Sequence, residues 1–441
     1  MRLSKVLAGL VCLAVVLTTG GCFRITADEF YSLPQPSKEY LKLQEQINAV
    51  LATGAEYSPP TSGPNRQSVQ LKDLDSDGKN EAVAFFRVTE DKPLRIYIMK
   101  QEGAAYRIAD VIEGDGTAIE SIRFYDLDGD GASELIVGWQ ASAALLHMTI
   151  YSIKGGQHVS LADDDYTEIT VNDLNNDRQP DVIALRLPST ELPGQADVFS
   201  VTKDGEVVNN TVRLSKGLES ISQVQSGTLM DGTPALFVES SSGGSVITDV
   251  ITSRNGSFYN ITASLSSGVS EDTLRGYAVY CTDINNDGIM EVPFPRLLEA
   301  TSDTKYYVID WFAYNKYGMR SRVFTTYHDF SDGWYLILPD TWKDTFMVRR
   351  EDSVPGERTL IFSYPTGRDT APIDFLKIYT LSGDNKDDRA KLPERFELLV
   401  HGDTIYAGEI LQEGTSNKVT LEQIKNGFRP LYSDWTIGVI S

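Results

Sequence analysis

The chain has 441 residues, 41% of them apolar, enough for two or three domains with cores of their own. It carries 62 Asp and Glu against 40 Lys and Arg, a formal net charge of -22. No basic stripe interrupts that excess, so nucleic acid is excluded as a partner, because a phosphate backbone is bound by clustered Lys and Arg.

At the amino terminus Arg2 and Lys5 form a basic region, Val6 to Leu17 is an apolar run, and Thr18-Thr19-Gly20-Gly21-Cys22 follows. The run is short for a membrane span, which needs about 20 apolar residues. A Cys directly after small residues at such a junction resembles a bacterial lipoprotein signal. The resemblance implies that residues 1–21 are removed and that Cys22 is lipidated, anchoring the chain to the outer side of the bacterial cell membrane; plain secretion is the alternative. With Cys12 in the signal and Cys22 at the junction, Cys281 stands alone. No disulfide framework is expected, and Cys281 reads as a small core residue.

Residues 22–64 read as a tether and one helix. Apolar residues at Tyr40, Leu43, Ile47, Val50 and Leu51 recur in steps of three and four, which predicts an amphipathic helix over Ser37 to Leu51 that packs on the following domain. Gly54 ends it, and Pro59-Pro60-Thr-Ser-Gly63-Pro64 is a loop.

From Asn65 the apolar period becomes two, and a short acidic stretch recurs. The copies are Asp73-Leu-Asp75-Ser-Asp77-Gly78-Lys79-Asn-Glu81, Asp126-Leu-Asp128-Gly-Asp130-Gly131-Ala132-Ser-Glu134, Asp173-Leu-Asn175-Asn-Asp177-Arg178-Gln-Pro-Asp181, and Asp283-Ile-Asn285-Asn-Asp287-Gly288-Ile289-Met-Glu291. Oxygen ligands at positions 1, 3, 5 and 9, with Gly at 6 for the sharp turn, suit one hard cation, and calcium accepts such a set more readily than magnesium, which demands a tight octahedron. The expected ligands are therefore Asp73, Asp75, Asp77 and Glu81; Asp126, Asp128, Asp130 and Glu134; Asp173, Asn175, Asp177 and Asp181; and Asp283, Asn285, Asp287 and Glu291. Backbone carbonyls at position 7 join them from Lys79, Ala132 and Ile289. The fourth loop, with one fewer charge, is expected to bind more weakly, and the third departs furthest because Arg178 replaces the glycine. The plain alternative is an acidic turn in which Asp and Gly serve turn geometry alone.

The loops begin at 73, 126, 173 and 283, separations of 53, 47 and 110, so a hidden copy is expected near 228. Met230-Asp231-Gly232 followed by Ala235-Leu-Phe-Val-Glu239 stands there. Each unit divides into four short strands; in the second they are Ile119 to Tyr125, Glu134 to Trp139, Leu146 to Ile153 and His158 to Leu161. In the fifth, Gly276 to Cys281 is expected as the opening strand. Four strands repeated at this spacing predict a mainly β chain, a β-propeller of about five four-stranded blades over 65–329. These loops, each followed by an apolar strand, resemble the FG-GAP or VCBS-type repeats of integrin-α-like propellers. The resemblance implies that each loop joins the first two strands of a blade, and that calcium stiffens the turns on one face of a binding surface.

Residues 330–441 break the repeat. Trp334 to Pro339, Thr345 to Arg349, Thr359 to Tyr364, Phe375 to Leu381, Phe396 to Val400 and Thr404 to Leu411 read as strands, and Thr420-Leu-Glu-Gln423 is a capping box opening a helix. An α+β domain is expected. Catalytic motifs are absent: His147, His158, His328 and His401 lie far apart, and no nucleophile elbow or phosphate loop occurs. Trp139, Trp311, Trp334 and Trp342 serve either as core or as a carbohydrate platform. The reading is an exported envelope lipoprotein whose calcium-stiffened propeller binds or scaffolds a protein or glycan, with the membrane reached through Cys22. Its rivals are a polysaccharide hydrolase or lyase on the same propeller, since paired carboxylates can act as acid and base, and an activity held by the carboxy-terminal domain that the propeller only positions.

Overall fold

The structure, a computed structural model, describes residues 38–435 apart from 104, 155, 299–305, 343–345, 367–369, 412–418 and 434. The signal sequence and Cys22 lie outside the described residues. The predicted helix is present as α1 (Lys38–Leu51), and its buried face of Leu43, Ile47 and Val50 rests on the first sheet, as the three-and-four spacing requires.

That sheet contains β1 (Glu56–Tyr57), β2 (Val69–Lys72), β3 (Glu81–Arg87), β4 (Leu94–Glu102) and β5 (Ala105–Gly114), with β1 and β2 sharing one edge of β3. Three four-stranded antiparallel meanders follow. The second sheet is β6 (Ala118–Tyr125), β7 (Glu134–Gln140), β8 (Leu146–Lys154) and β9 (Gln157–Tyr166); the third is β10 (Glu168–Asn172), β11 (Asp181–Arg186), β12 (Gln195–Val201) and β13 (Val207–Arg213). The fourth is β14 (Ser220–Thr228), β15 (Pro234–Ser242), β16 (Ser245–Arg254) and β17 (Ser257–Asn260). In each, the strand after the loop is an almost unbroken apolar run because both of its faces are covered.

Neighbouring sheets share cores. Val83 and Phe85 meet Ile122, Leu135 and Val137 between the first two sheets, and Ile136 and Ile150 meet Val182 and Phe199 between the next pair. Ile183 and Leu185 meet Leu236 and Val238, and Phe237 and Val250 meet Val292 and Tyr314. Side chains alternate faces along a strand. Ala82, Ala84 and Phe86 therefore point away from the second sheet, and α1 covers them.

The fifth sheet departs from expectation. It is built of β18 (Glu291–Leu297), β19 (Tyr307–Tyr314), β20 (Arg320–Asp329), β21 (Trp334–Ile337) and, from the end of the chain, β27 (Phe428–Pro430). Among the described residues the expected opening strand at Gly276 to Cys281 does not form; isolated bridges stand at Ala278 and at Thr282, which pairs with Glu291. The Arg275 guanidinium takes the Val279 carbonyl at 2.6 Å, a group that a strand would offer to its neighbour. The fourth place goes instead to Trp334–Ile337. A turn in which the Gly333 N–H donates to the Asp329 carbonyl at 2.9 Å, with Gly333 at φ 74°, carries the chain through the 329/330 boundary within one sheet.

The last sheet orders β22 (Met347–Val354), β23 (Glu357–Tyr364), β24 (Ile373–Leu381), β26 (Thr404–Ile410) and β25 (Phe396–His401), with α2 (Lys386–Ala390) and α3 (Leu421–Gly427) beside it. The capping box at Thr420 and Gln423 is formed in both directions. Trp334, Leu336, Phe362, Phe375, Ile424 and Phe428 join this sheet, α3 and the fifth sheet in one core.

Candidate metal centres

The four acidic stretches fall on the turns entering β3, β7, β11 and β18, and three hydrogen bonds recur in each. The N–H at position 2 donates to the position 9 carboxylate: Leu74 to Glu81 at 2.9 Å, Leu127 to Glu134 at 2.9 Å, Leu174 to Asp181 at 3.3 Å and Ile284 to Glu291 at 3.1 Å. At position 6 the N–H donates to the position 1 carboxylate, from Gly78, Gly131, Arg178 and Gly288 to Asp73, Asp126, Asp173 and Asp283 at 3.0, 3.0, 2.8 and 2.8 Å. The position 7 N–H, of Lys79, Ala132, Gln179 or Ile289, donates to Asp77, Asp130, Asp177 or Asp287. Position 6 is left-handed throughout, and Arg178 is forced to φ 73° where glycine stands at 82°, 93° and 85°.

Position 2 carries a signal that the motif reading missed. Leu74, Leu127 and Leu174 are buried between sheets, and Ile284 is buried on a face of the fifth sheet beside Val279 and Trp435, so each pins its loop to a core. Leu229 keeps that anchor in the hidden fourth unit, where the Asp231 carboxylate caps the N–H groups of Thr233 and Lys316 at 3.3 and 3.2 Å and no other ligand remains.

The first two loops gather their acids. Oxygens of Asp73, Asp75 and Glu81 lie within 4.8 Å of one another, as do those of Asp126, Asp128 and Glu134. In the first, Asp73 Oδ1, Asp75 Oδ1 and Glu81 Oε1 are buried without a hydrogen-bond partner. Buried carboxylate oxygens facing each other are costly unless a cation satisfies them, so this all-oxygen set fits a hard metal ion. Asp77 and Asp130 stand outside these triads. The third and fourth loops bring no three acidic groups together among the described residues. In the third, Asp181 is a methylene shorter than Glu and accepts from the Ser200 hydroxyl; in the fourth, the Asn285 amide donates to Asp287 at 2.8 Å.

Burial raises every position 9 carboxyl. Glu134 is pushed up to about 6 by desolvation, against the Leu127 N–H and helped by Asp128; Asp181 reaches about 6 and Glu291 about 7 for the same first cause. Glu81 moves the same way. The loops are also laced together. The Ser76 hydroxyl donates to the Gly131 carbonyl, the Ser133 N–H to the Leu74 carbonyl at 3.3 Å, and the Gln179 amide to the Asp128 carbonyl at 3.0 Å.

Elsewhere Trp139, Trp311, Trp334 and Trp342 are all buried, so they build core and offer no platform. His147 and His158 pair with Asp165 and Asp110, His328 lies buried against Trp435, and His401 is exposed. Cys281 is buried, with its thiol pushed well above the usual range by desolvation. Beside it Glu239 and Arg275 form a fully buried ion pair that the sequence signalled only by one charge in an apolar strand. A pocket of about 230 Å³ between the last two sheets is walled by Tyr277, Tyr306, Tyr307 and Phe330, with Asp329 and Arg350 at its polar side.

No curated protein matches the chain at a significant level. Residues 73–137, from the first acidic loop through the second and into β7, match the family model described as an FG-GAP-like repeat, a match that supports an FG-GAP/VCBS-type repeat over the two best-formed loops.

Proposed function

We propose that the first five sheets form a propeller-like binding or scaffolding surface on an exported envelope protein, and that calcium holds the loops at one rim of it. The supporting observation is the pair of acid triads, each set on a turn pinned to a core and each offering oxygen alone. Asp73, Asp75 and Glu81, or Asp126, Asp128 and Glu134, would hold the ion, which supplies charge neutralisation. The rest belongs to the chain: leucine anchors fix each turn, and the recurring N–H bonds hold its carboxylates inward. Recognition of a protein or glycan then needs no bond chemistry. The α1 helix lies on the face of the first sheet where a closed ring would place another blade, so the array is interrupted there.

A thermal melt tests this. With dissociation constants on the order of 10⁻⁴ to 10⁻³ M, as in extracellular calcium modules, 10 mM calcium stabilises the native state by about 1.4 to 2.7 kcal/mol per site. The expected outcome is a melting temperature several degrees higher in calcium than in chelator, with the difference reduced in Asp126→Ala. Equal melts in both solutions would remove the metal from the reading. Anchoring at Cys22 is tested separately, by metabolic fatty-acid labelling that Cys22→Ala should abolish.

A further inference from the structure

The two acid triads face different neighbours across the sheet. One step beyond the Ala82–Met99 pair of β3 and β4, the residue opposite Glu81 is Lys100. By the same register Ser152 stands opposite Glu134 and Ser200 opposite Asp181, and Ala313 pairs with Glu291 directly. Only the first loop therefore meets a charge at this place. The Lys100 ammonium is bonded to Asp75 Oδ2 and lies 3.3 Å from Asp77 Oδ2, while its stem is about two-thirds buried.

We propose that Lys100 is a built-in competitor for the metal, so that the two loops, alike in sequence, are unequal sites and the Asp126 loop fills first. The inference rests on the calcium reading above. Asp75 and Asp77 are two of the four acids that the motif offers, and Lys100 draws both toward itself. An ion placed among Asp73 Oδ1, Asp75 Oδ1 and Glu81 Oε1 would also sit near a fixed positive charge, and like charges a few ångströms apart in a partly buried site repel strongly. In the second loop the facing Ser152 is buried and neutral, and among the described residues no Lys or Arg pairs with Asp128 or Asp130.

The test is calorimetric titration of the full protein with calcium chloride, comparing wild type, Asp126→Ala, and Asp126→Ala combined with Lys100→Ser, which copies the second loop. The expected result is that Asp126→Ala removes the tightest component and that adding Lys100→Ser creates a new one, at least tenfold tighter than what remained. Adding Asp73→Ala must then abolish that component, which assigns it to the first loop. If Lys100→Ser changes the remaining affinity by less than twofold, Lys100 is a bystander and the proposal fails while the calcium reading stands. If no variant binds calcium, both fall together. Melts in chelator confirm that each variant is folded; Lys100→Ser should melt below wild type there, because its removal leaves the acids of the first loop unneutralised.

Discussion

A single charge can be placed well or badly at identical motif positions, and His328 shows how burial decides. It is enclosed by Trp311, Tyr335 and Trp435, its Nε2 lies 2.9 Å from the Thr326 hydroxyl, and desolvation lowers it to about 3. The native state thus resists a proton that the unfolded chain accepts near pH 6.5. Stability tied to this residue is complete above pH 6.5 and is lost as pH falls toward 3, by about 2 kcal/mol at pH 5. Urea unfolding of wild type and His328→Phe at pH 7.5 and 5 checks it: wild type should lose ground to the variant on acidification. The raised carboxyls Glu134, Asp181 and Glu291 act in the opposite sense, gaining protons on folding, so the difference between the two proteins is the quantity to read. A constant difference at both pH values would contradict the assignment.

At the scale of the element, each loop is held by its second residue as well as by its acids. Leu127 is fully buried between the second and third sheets, and its N–H holds Glu134. Leu127→Ala should cost about 3 kcal/mol, the usual range for a buried leucine, and weaken calcium binding with it. Denaturant unfolding with and without the ion separates the two effects; a loss below about 1 kcal/mol would show the loop standing on its hydrogen bonds alone. Much of this scale was legible in the sequence. Period two found the strands, loop spacing found the hidden turn at Asp231, and the Thr420 capping box marked α3. What was not legible depends on partners distant in sequence. Nothing local shows that Arg275 bonds the Val279 carbonyl and withholds residues 276–281 from a sheet, nor that Lys100, outside the motif, reaches into it. The tryptophans read as core, with a platform as the alternative, and the facing sheets that bury them decide between the two.

For the whole molecule, the end of the repeat and the end of the fold are different places. β20 pairs with β21, and β21 with β27 from the last residues of the described chain. A protein ending at residue 329 would lose both, leaving β20 an open edge and baring Val308 and Tyr327, which are buried against Trp334 and Phe362. Exposed apolar edges associate. That fragment is expected to elute as aggregate on size exclusion and to bind a hydrophobic dye, whereas the full chain does neither. A monomeric fragment with a cooperative melt would mean that the fifth sheet stands without its last two strands.

The bonds between loops divide the same rim into two lengths. Loops one, two and three are joined by Ser76, Ser133 and Gln179, and the fourth is joined to the ion-free turn, where the Met290 N–H meets the Thr228 carbonyl at 3.0 Å. Pro180, at the place of Ser133 and Met290, has no N–H to give back to the second loop, and the Gln179 side chain makes that tie instead. Between the two lengths the Ser226 hydroxyl on the Asn172 side chain is the tie at this rim among the described residues. At the seam between the third and fourth sheets the rim is therefore held from below, by the core the two sheets share, more than by bonds from loop to loop.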